Sequence, residues 1–280
     1  MVVIPRQVCR DINHAFSYEW IVRNSRGDYA AASIGGALTR RQHGLLVSAP
    51  ASSDKPHVMF AKFDEEIEVE RQTFKLGTNE YQSNVVNPDG FLFLQQVTLE
   101  GALATFEYES ARFQLTKHIW MEPERARTFV HYQLSEQSAP AQLTLVPMCD
   151  YRAADALTQG NESWHFGVET LSNGFVVTAH DTATPYRVLS YKPMTFTPLD
   201  LWYWRFQLRR DANASTDAFV PGLMRTTLSP GAAITLMITT DADVAAYPDA
   251  ELGMAAARAF DNTLSETAVE TFKPVLYASA

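Results

Sequence analysis

The sequence lacks several features that define whole classes of protein. Its 280 residues include only two cysteines, Cys9 and Cys149, so reduced thiols are expected rather than a disulfide framework. No apolar run is long enough to span a bilayer, and the stretch after Met1 is too short for a signal-peptide core, so we expect a cytoplasmic protein with no membrane partner. The net charge of -9 leaves no basic surface for a phosphate backbone, which argues against a nucleic-acid partner.

Common catalytic signatures are missing as well. The chain has no Gly-x-Ser-x-Gly elbow, phosphate loop, Cys-x-x-Cys pair or His-Glu-x-x-His motif. Its seven histidines never fall at the short spacing of a helical metal pair, although strands could still bring distant ones together. The sequence therefore predicts no metal, no cofactor and no catalytic residue.

What the sequence does contain is period-two alternation of apolar and polar residues, from about residue 57 to about residue 240. Residues 66–70 and 234–238 show it most clearly, and each should bury one face of a strand. Residues 130–134 and, after a Ser/Gln/Pro turn, 143–145 predict an antiparallel pair. Asn173-Gly174 predicts a tight hairpin, because these residues tolerate positive φ angles. Short strands with few helical stretches between them predict an all-β, antiparallel two-sheet sandwich.

The pattern changes near residue 241. Pro248 and Asp249 precede an alanine-rich stretch, residues 250–260, whose apolar spacing predicts one helix. We therefore expect a sandwich domain over residues 1–240 and a helical connector or tail over residues 241–280. Residues 268–280 end without a closing element, so the chain can be one module of a longer polypeptide.

Three clusters of side chains are candidates for function, each with a structural alternative. Asp64-Glu65-Glu66 offers the paired carboxylates of glycoside hydrolysis, but the solvated start of a strand is the favoured interpretation. If residues 202–206 are extended, Trp202, Trp204 and Phe206 share one face. Tyr203 and Arg205 then share the other face, which could line a glycan surface, although core packing and strand pairing explain the same residues.

A third cluster, residues 39–44, places Arg40, Arg41 and His43 just before an apolar strand. Arginine forks can bind a carboxylate or several hydroxyls at once. The alternative is an internal ion pair that holds a loop, for example with Asp64 or Glu65. The sequence leaves both interpretations open.

Several motifs together carry a resemblance to a known family. They occur in this order: Glu19-Trp20-Ile21-Val22-Arg23-Asn24, Gly27-Asp28-Tyr29-Ala30, Thr39-Arg40-Arg41-Gln42-His43-Gly44-Leu45-Leu46-Val47, Lys62-Phe63-Asp64-Glu65, Thr78-Asn79-Glu80-Tyr81, Asn87-Pro88-Asp89-Gly90-Phe91, Asp150-Tyr151-Arg152, Leu157-Thr158 and Phe219-Val220-Pro221-Gly222. Over roughly residues 18–240 the chain resembles the N-terminal domain of bacterial and archaeal-type glycogen debranching enzymes, the amylo-α-1,6-glucosidase family.

The resemblance implies a galactose-mutarotase-like β-supersandwich. In full-length members an (α/α) barrel follows and hydrolyses α-1,6 branch points with carboxylates of its own, and that barrel is missing from these 280 residues. Two departures from the family pattern bear on function. Asn24-Ser25-Arg26-Gly27-Asp28-Tyr29 replaces a glycine-rich Asn-Gly-x-Gly-Gly-Tyr, and Gln42 replaces a tyrosine, which removes a sugar-stacking ring.

The resemblance and the missing catalytic motifs lead to one main expectation: a non-catalytic accessory domain that packs on a glycoside hydrolase barrel, in cis or in trans, and helps to bind α-glucan such as glycogen or maltodextrin. The expected glucan-binding residues are Arg40, Arg41, His43, Asn79, Glu80, Tyr81, Tyr151 and Arg152. One alternative is that the chain is part of a complete debranching hydrolase. The other is a standalone structural or oligomerisation domain without ligand, which predicts that the cluster at residues 40–43 is buried in ion pairs.

Overall fold

The computed structural model describes residues 1–50, 53–244 and 249–261. Within these ranges the strands form two antiparallel sheets. The first sheet has the order β1 (Val2–Pro5), β9 (Leu94–Glu100), β10 (Leu103–Glu109), β11 (Gln114–Met121), β12 (Arg127–Leu134), β19 (Ala233–Thr239), β16 (Tyr186–Ser190), β15 (Gly174–Thr178) and β14 (Gly167–Leu171).

The second sheet has the order β2 (Glu19–Arg23), β3 (Tyr29–Ser33), β4 (Gly44–Ser48), β5 (His57–Val69), β13 (Ala141–Ala153), β18 (Ala214–Leu228), β17 (Thr195–Leu208), β7 (Thr78–Tyr81) and β8 (Val85–Asp89), with β6 (Gln72–Lys75) beside β5. Short 3-10 turns flank β8 at Gln82–Asn84 and Gly90–Phe93. The predicted all-β, two-sheet antiparallel sandwich is confirmed.

The main hydrophobic core lies between the two sheets. In β5, Ile67 and Val69 are fully buried in this core, whereas Glu68 and Glu70, the residue after the strand, are exposed, as the alternation predicted. Burying an aliphatic side chain of this size contributes about 1.5–3 kcal/mol. A smaller apolar cluster covers the outer face of the second sheet, the face that points away from the first sheet. It contains Leu38, Ala61, Val146, Met148, Phe206, Leu208, Ala218 and Val220.

The hairpin predicted at Asn173-Gly174 forms between β14 and β15. Leu171 pairs with Gly174, so Ser172 and Asn173 make the turn. Neither Asn173 nor Gly174 has a positive φ. A Cβ at Gly174 would instead collide with the carbonyl oxygen of Val188 on β16, so this glycine is needed for close approach of two strands.

The predicted antiparallel pair of residues 130–134 and 143–145 is wrong. β12 pairs with β11 and β19 in the first sheet, and β13 pairs with β5 and β18 in the second. Both strands direct apolar side chains into the same core from opposite sides, and the alternation is identical for a hairpin and for a crossover between sheets. Residues 135–140 carry the chain from one sheet to the other.

In the described residues, three short helices accompany the sheets: α1 (Arg6–Cys9), α2 (Ile12–Ser17) and α3 (Ala250–Ala259). α3 is the helix predicted from the alanine-rich stretch, and Asp249 caps it by accepting a hydrogen bond from the Leu252 N–H at 3.0 Å. Met254 and Ala257 pack α3 onto the outer face of the first sheet. In the described part of the chain, no helix has the length and apolarity needed to cross a membrane.

Two sequence features remain to be placed. Cys9 and Cys149 are both buried free thiols. Burial raises the pKa of the Cys9 thiol to about 11, which keeps it protonated and unreactive. The predicted tail at residues 268–280 lies outside the described residues.

Candidate functional site

Glu19, the first residue of β2, is the centre of a buried ion-pair network at one end of the second sheet. Its Oε1 lies 2.7 Å from Arg40 Nε, 3.2 Å from His43 Nε2 and 3.7 Å from Arg210 Nε. Burial acts to raise the pKa of Glu19, but His43 and Arg40 outweigh burial and lower that pKa below its ordinary value. The ionised carboxylate therefore holds three side chains from two loops.

The backbone fixes the tautomer of His43. The Thr39 N–H donates a hydrogen bond to His43 Nδ1 at 3.1 Å, so the ring proton is on Nε2 and faces Glu19. His43 has no exposed surface. This imidazole thus orders the loop at residues 39–43 and presents no surface to a ligand.

Residues 209–211, which follow β17, tie this network to neighbouring segments. Arg209 Nε lies 3.1 Å from Glu80 Oε1 and 3.0 Å from Glu80 Oε2, and Glu80 is fully buried. Asp211 accepts hydrogen bonds from the Arg41 backbone N–H at 2.6 Å and from Arg41 Nε at 3.1 Å. Such charge-assisted bonds are stronger than neutral ones. We call this set of pairs, together with those of Glu19, the loop network.

Tyr151 and Arg152 lie at the end of β13 and are also engaged within the protein. Arg152 Nε lies 2.8 Å from Asp150 Oδ2, and an Arg152 guanidinium N–H donates to the Ala156 carbonyl oxygen at 2.9 Å. The Tyr151 hydroxyl oxygen accepts a hydrogen bond from the Thr184 N–H at 2.9 Å. Arg152 therefore holds the loop that follows β13, and Tyr151 holds the loop between β15 and β16.

A different arrangement occupies the outer face of the second sheet, where a groove of about 190 Å³ opens. Its lining residues, from β5, β6, β7, β8, β13 and β17, are Asp64, Glu65, Glu66, Lys75, Asn79, Tyr81, Asn87, Pro88, Val146 and Tyr203. Aromatic rings beside a few carboxylates and amides suit a ligand with apolar faces and hydroxyl edges, such as a sugar ring. We call this feature the groove.

Asp64 and Asn79 are held in fixed positions in the groove by Lys62. Lys62 Nζ lies 2.8 Å from Asp64 Oδ1 and 3.0 Å from Asn79 Oδ1, and it donates to the carbonyl oxygens of Gly36 and Thr78. The Asn79 amide in turn donates to Asp64 Oδ2 at 2.5 Å. Because the ammonium is nearly buried and fully engaged, the polar groups at this end of the groove are preorganised.

Tyr81 and Tyr203 supply the rings of the groove. Tyr81 stacks on Phe206 with ring centroids 5.5 Å apart, and Tyr203 lies 6.5 Å from the same ring. A β-bulge lies between Tyr203 and Phe206, with Arg205 at φ +64°, and it puts the rings of Tyr203 and Phe206 on the outer face. Burial raises the pKa of Tyr81 to about 12, with Asp64 adding to the increase, so its hydroxyl remains a hydrogen-bond donor.

The same bulge overturns the predicted facing of residues 202–206. Trp202 is buried in the main core, whereas Phe206 belongs to the cluster on the outer face, so the two rings lie on opposite faces. Trp204 is 43% exposed. A single extra residue reverses the alternation of side chains, and a period-two pattern does not reveal where such a residue is inserted.

The acidic cluster Asp64-Glu65-Glu66 is not the solvated start of a strand, because it lies within β5. Asp64 and Glu66 line the groove. Glu65 also borders the groove, but its carboxylate points the other way, and its Oε1 lies 2.5 Å from Lys117 Nζ and 2.7 Å from the Tyr132 hydroxyl. The strand pleat thus separates one interior carboxylate from two that face the groove.

Two of the sequence-predicted site residues, Asn79 and Tyr81, come together in the groove. The others form ion pairs or hydrogen bonds within the protein: Arg40, Arg41, His43, Glu80, Tyr151 and Arg152. The carboxylates that pair with residues 40–43 are those of Glu19 and Asp211, rather than those of Asp64 or Glu65. The sequence did not indicate these two partners. The sequence also did not show that Tyr203 shares a space with the acidic cluster, since this depends on the order of four strands and on a bulge.

Comparison with known proteins assigns the chain to a family. A family model described as glycogen debranching enzyme N terminal matches residues 18–235. No curated protein sequence matches the chain significantly. Similar solved structures include a polysaccharide lyase, 14% identical with a TM-score of 0.29 over 64% of this chain, and a bacterial glucoamylase complexed with acarbose, 8% identical with a TM-score of 0.37 over 91% of it. The chain spans 25% and 37% of the length of those two proteins, respectively.

Proposed function

The chain belongs to the glycogen debranching enzyme N-terminal family, and from this premise we propose that it is a non-catalytic accessory domain that binds α-glucan in the groove. In the complete enzyme it packs on a glycoside hydrolase barrel, present in cis or in trans. The observation that carries the proposal is the groove itself. There two tyrosine rings lie beside Asp64 and Asn79, whose positions are fixed by a buried lysine.

Each part of the groove has a role in this proposal. Tyr81 and Tyr203 present ring faces to the C–H face of a glucose unit. Asp64 accepts hydrogen bonds from hydroxyl groups, and Asn79 holds the Asp64 carboxylate in place by donating to its Oδ2. The volume, about 190 Å³, is below the roughly 300 Å³ at which drug-sized ligands begin to fit, so we expect a single glucose unit of the chain to be seated there.

A standalone structural or oligomerisation domain without ligand is the second candidate function. It is favoured by the position of Arg40 and His43, both of which contact the buried Glu19 carboxylate. The ion pairs of Arg40 and Arg41 and the contact of His43 with Glu19 support a structural role for these residues. The two candidates are therefore distinguished by the groove, and not by the loop network.

The test is isothermal titration of the 280-residue protein with maltoheptaose and with a branched limit dextrin, together with a reducing-sugar assay on the same samples. We expect heat of binding without release of reducing ends. Tyr203→Ala should abolish the binding, whereas Arg41→Ala should lower stability and leave affinity unchanged. No heat from either glucan would favour the structural domain, and release of reducing ends would overturn the non-catalytic assignment.

A further inference from the structure

The outer face of the first sheet carries three rows of side chains that cross β10, β11, β12 and β19. The apolar row under α3 consists of Leu103, Trp120, Phe129 and Met237. The next row consists of Thr105, His118, His131 and Thr235, which lie directly opposite one another on successive strands. The third row, Glu107, Thr116 and Gln133, lines an open polar cleft of about 280 Å³. The two histidines therefore lie at the boundary between a covered apolar surface and an open polar one.

Each histidine is fixed by a threonine on its far side. His118 Nδ1 lies 3.0 Å from the hydroxyl of Thr105, and His131 Nδ1 lies 2.8 Å from the hydroxyl of Thr235. The ring centroids are 5.9 Å apart and the ring planes are inclined by 43°. Because each Nδ1 points away from the other ring, each Nε2, on the opposite edge of its imidazole, leans towards the gap between the rings.

We propose that His118 and His131 form a binding site for a divalent transition-metal ion, held by the two Nε2 atoms and completed by water. Imidazole suits Cu²⁺, Ni²⁺ and Zn²⁺, with Cu²⁺ bound most tightly. Bonds of about 2.0–2.1 Å place two nitrogens of one tetrahedral ion about 3.4 Å apart, a geometry with which ring centroids 5.9 Å apart are compatible. The threonine hydroxyls act as the outer hydrogen-bond partners that orient metal-bound imidazoles.

The site has two protein ligands, since no group of three or more His, Cys, Asp or Glu residues suited to a metal occurs in the described residues. In the described residues, His118 and His131 each form a hydrogen bond with Nδ1, which leaves Nε2 to bind the ion. His118 and His131 are 13 positions apart in the chain, a spacing with no metal-site signature, and the strand pairing alone makes them neighbours. This explains why the sequence predicted no metal.

The charges around the pair set the conditions for binding. Burial lowers the pKa of His118 to about 4, and burial also lowers the pKa of His131, so both rings are neutral ligands at neutral pH. Arg258 on α3 and Lys192 are the cations that face the pair. Arg258 Nε lies 3.4 Å from Glu100, whose negative charge reduces the repulsion between Arg258 and a metal ion. The Lys192 ammonium donates to the backbone carbonyl of Ala233 and is exposed, so water screens its charge.

The experiment is titration of the EDTA-stripped 280-residue protein with CuCl₂, NiCl₂ and ZnCl₂ at neutral pH, followed by calorimetry and by tryptophan fluorescence. We expect one strong site, with quenching by Cu²⁺ because Trp120 lies two residues from His118 on the same face. His118→Gln and His131→Gln should each remove the strong site. Thr235→Val, which keeps both ligands, should weaken it about tenfold. His165→Gln is the matched control, because His165 is an exposed histidine paired with Asp200 elsewhere on the surface.

Circular dichroism and thermal unfolding of each variant show whether it is folded. Loss of the site in folded His118→Gln and His131→Gln, with retention in His165→Gln, would establish the pair as the ligands. Absence of a strong site in the wild type, or equal affinity in the wild type and both histidine variants, would overturn the proposal. If either histidine variant does not fold, Thr235→Val decides, and an unchanged affinity in that variant counts against the site.

Discussion

The loop network and the groove use the same types of residue in opposite ways. In the loop network every charge meets an opposite charge of the chain, and Glu19 and Glu80 have no exposed surface. In the groove, Lys62 holds the nearly buried Asp64 and Asn79 from beneath, and both residues border an opening of about 190 Å³. The difference teaches that a cluster of polar residues indicates a binding site only where it borders an opening that a ligand can enter.

The largest effect that this comparison predicts is on stability, at the centre of the loop network. Glu19→Gln leaves Arg40 and Arg210 without their counter-ion inside the protein, so the free energy of unfolding should fall by about 3–5 kcal/mol. Urea unfolding measures it. The control is Glu70→Gln, whose partner Arg112 is exposed, and that change should cost about 0–1 kcal/mol. Similar small losses in both variants would show that the loop network does not hold the loops together.

The pH dependence of stability sharpens the same comparison. Since the pKa of Glu19 is lower in the folded than in the unfolded protein, its contribution is complete above the unfolded pKa and is lost as pH falls through the folded pKa. Each unit of pKa lowering corresponds to about 1.4 kcal/mol. The gap in stability between wild type and Glu19→Gln should therefore narrow as the pH is lowered from neutral to about 3. A gap that stays constant in urea unfolding across this range would contradict an ionised Glu19.

The fold was predictable from sequence where one strand carries its own signal. Residues 66–70 show which face of β5 is buried, because each side chain is buried or exposed by the pleat of that strand alone. The pairing of β12 and β13 with different sheets was not predictable, because both have the same alternation whichever sheet they join. The bulge at Arg205 could not be predicted either, because an inserted residue changes which face the following side chains occupy without changing the amino-acid composition.

The candidate site was predictable only in part, because its partners are distant in the chain. Arg40 contacts Glu19 across 21 residues, and Arg41 contacts Asp211 across 170 residues. A local sequence pattern cannot predict contacts between residues so far apart in the chain. The sequence marked residues 39–44 as unusual but could not decide whether they bind a ligand or an internal partner. Asn79 and Tyr81, which do line the groove, were predicted only from motifs of the family resemblance.

In the groove, the predicted effect on binding is large and the effect on stability is smaller. Tyr203→Ala should remove glucan binding, because it deletes a ring that contacts the sugar, and it should cost about 1 kcal/mol of stability. Tyr203→Phe keeps the ring and loses the hydroxyl, so affinity for maltoheptaose should fall by about 1 kcal/mol. Calorimetry of the two variants separates stacking from hydrogen bonding. Equal affinities in Tyr203→Ala and the wild type would place the glucan elsewhere.

The smallest predicted effect concerns the rim of the groove, where Lys75 Nζ lies 3.6 Å from Glu66 Oε1 and the lysine side chain is 60% exposed. Because water screens this pair, Lys75→Ala should change stability by no more than about 0.5 kcal/mol. The matched change Lys62→Ala leaves Asp64 buried without its cation and should cost about 3 kcal/mol. Urea unfolding of both variants tests whether the lysine at the rim of the groove contributes less to stability than the buried lysine beneath it. If Lys75→Ala lowered stability as much as Lys62→Ala, the Lys75–Glu66 pair at the rim would be important for stability. The groove would then not differ from the loop network in this respect.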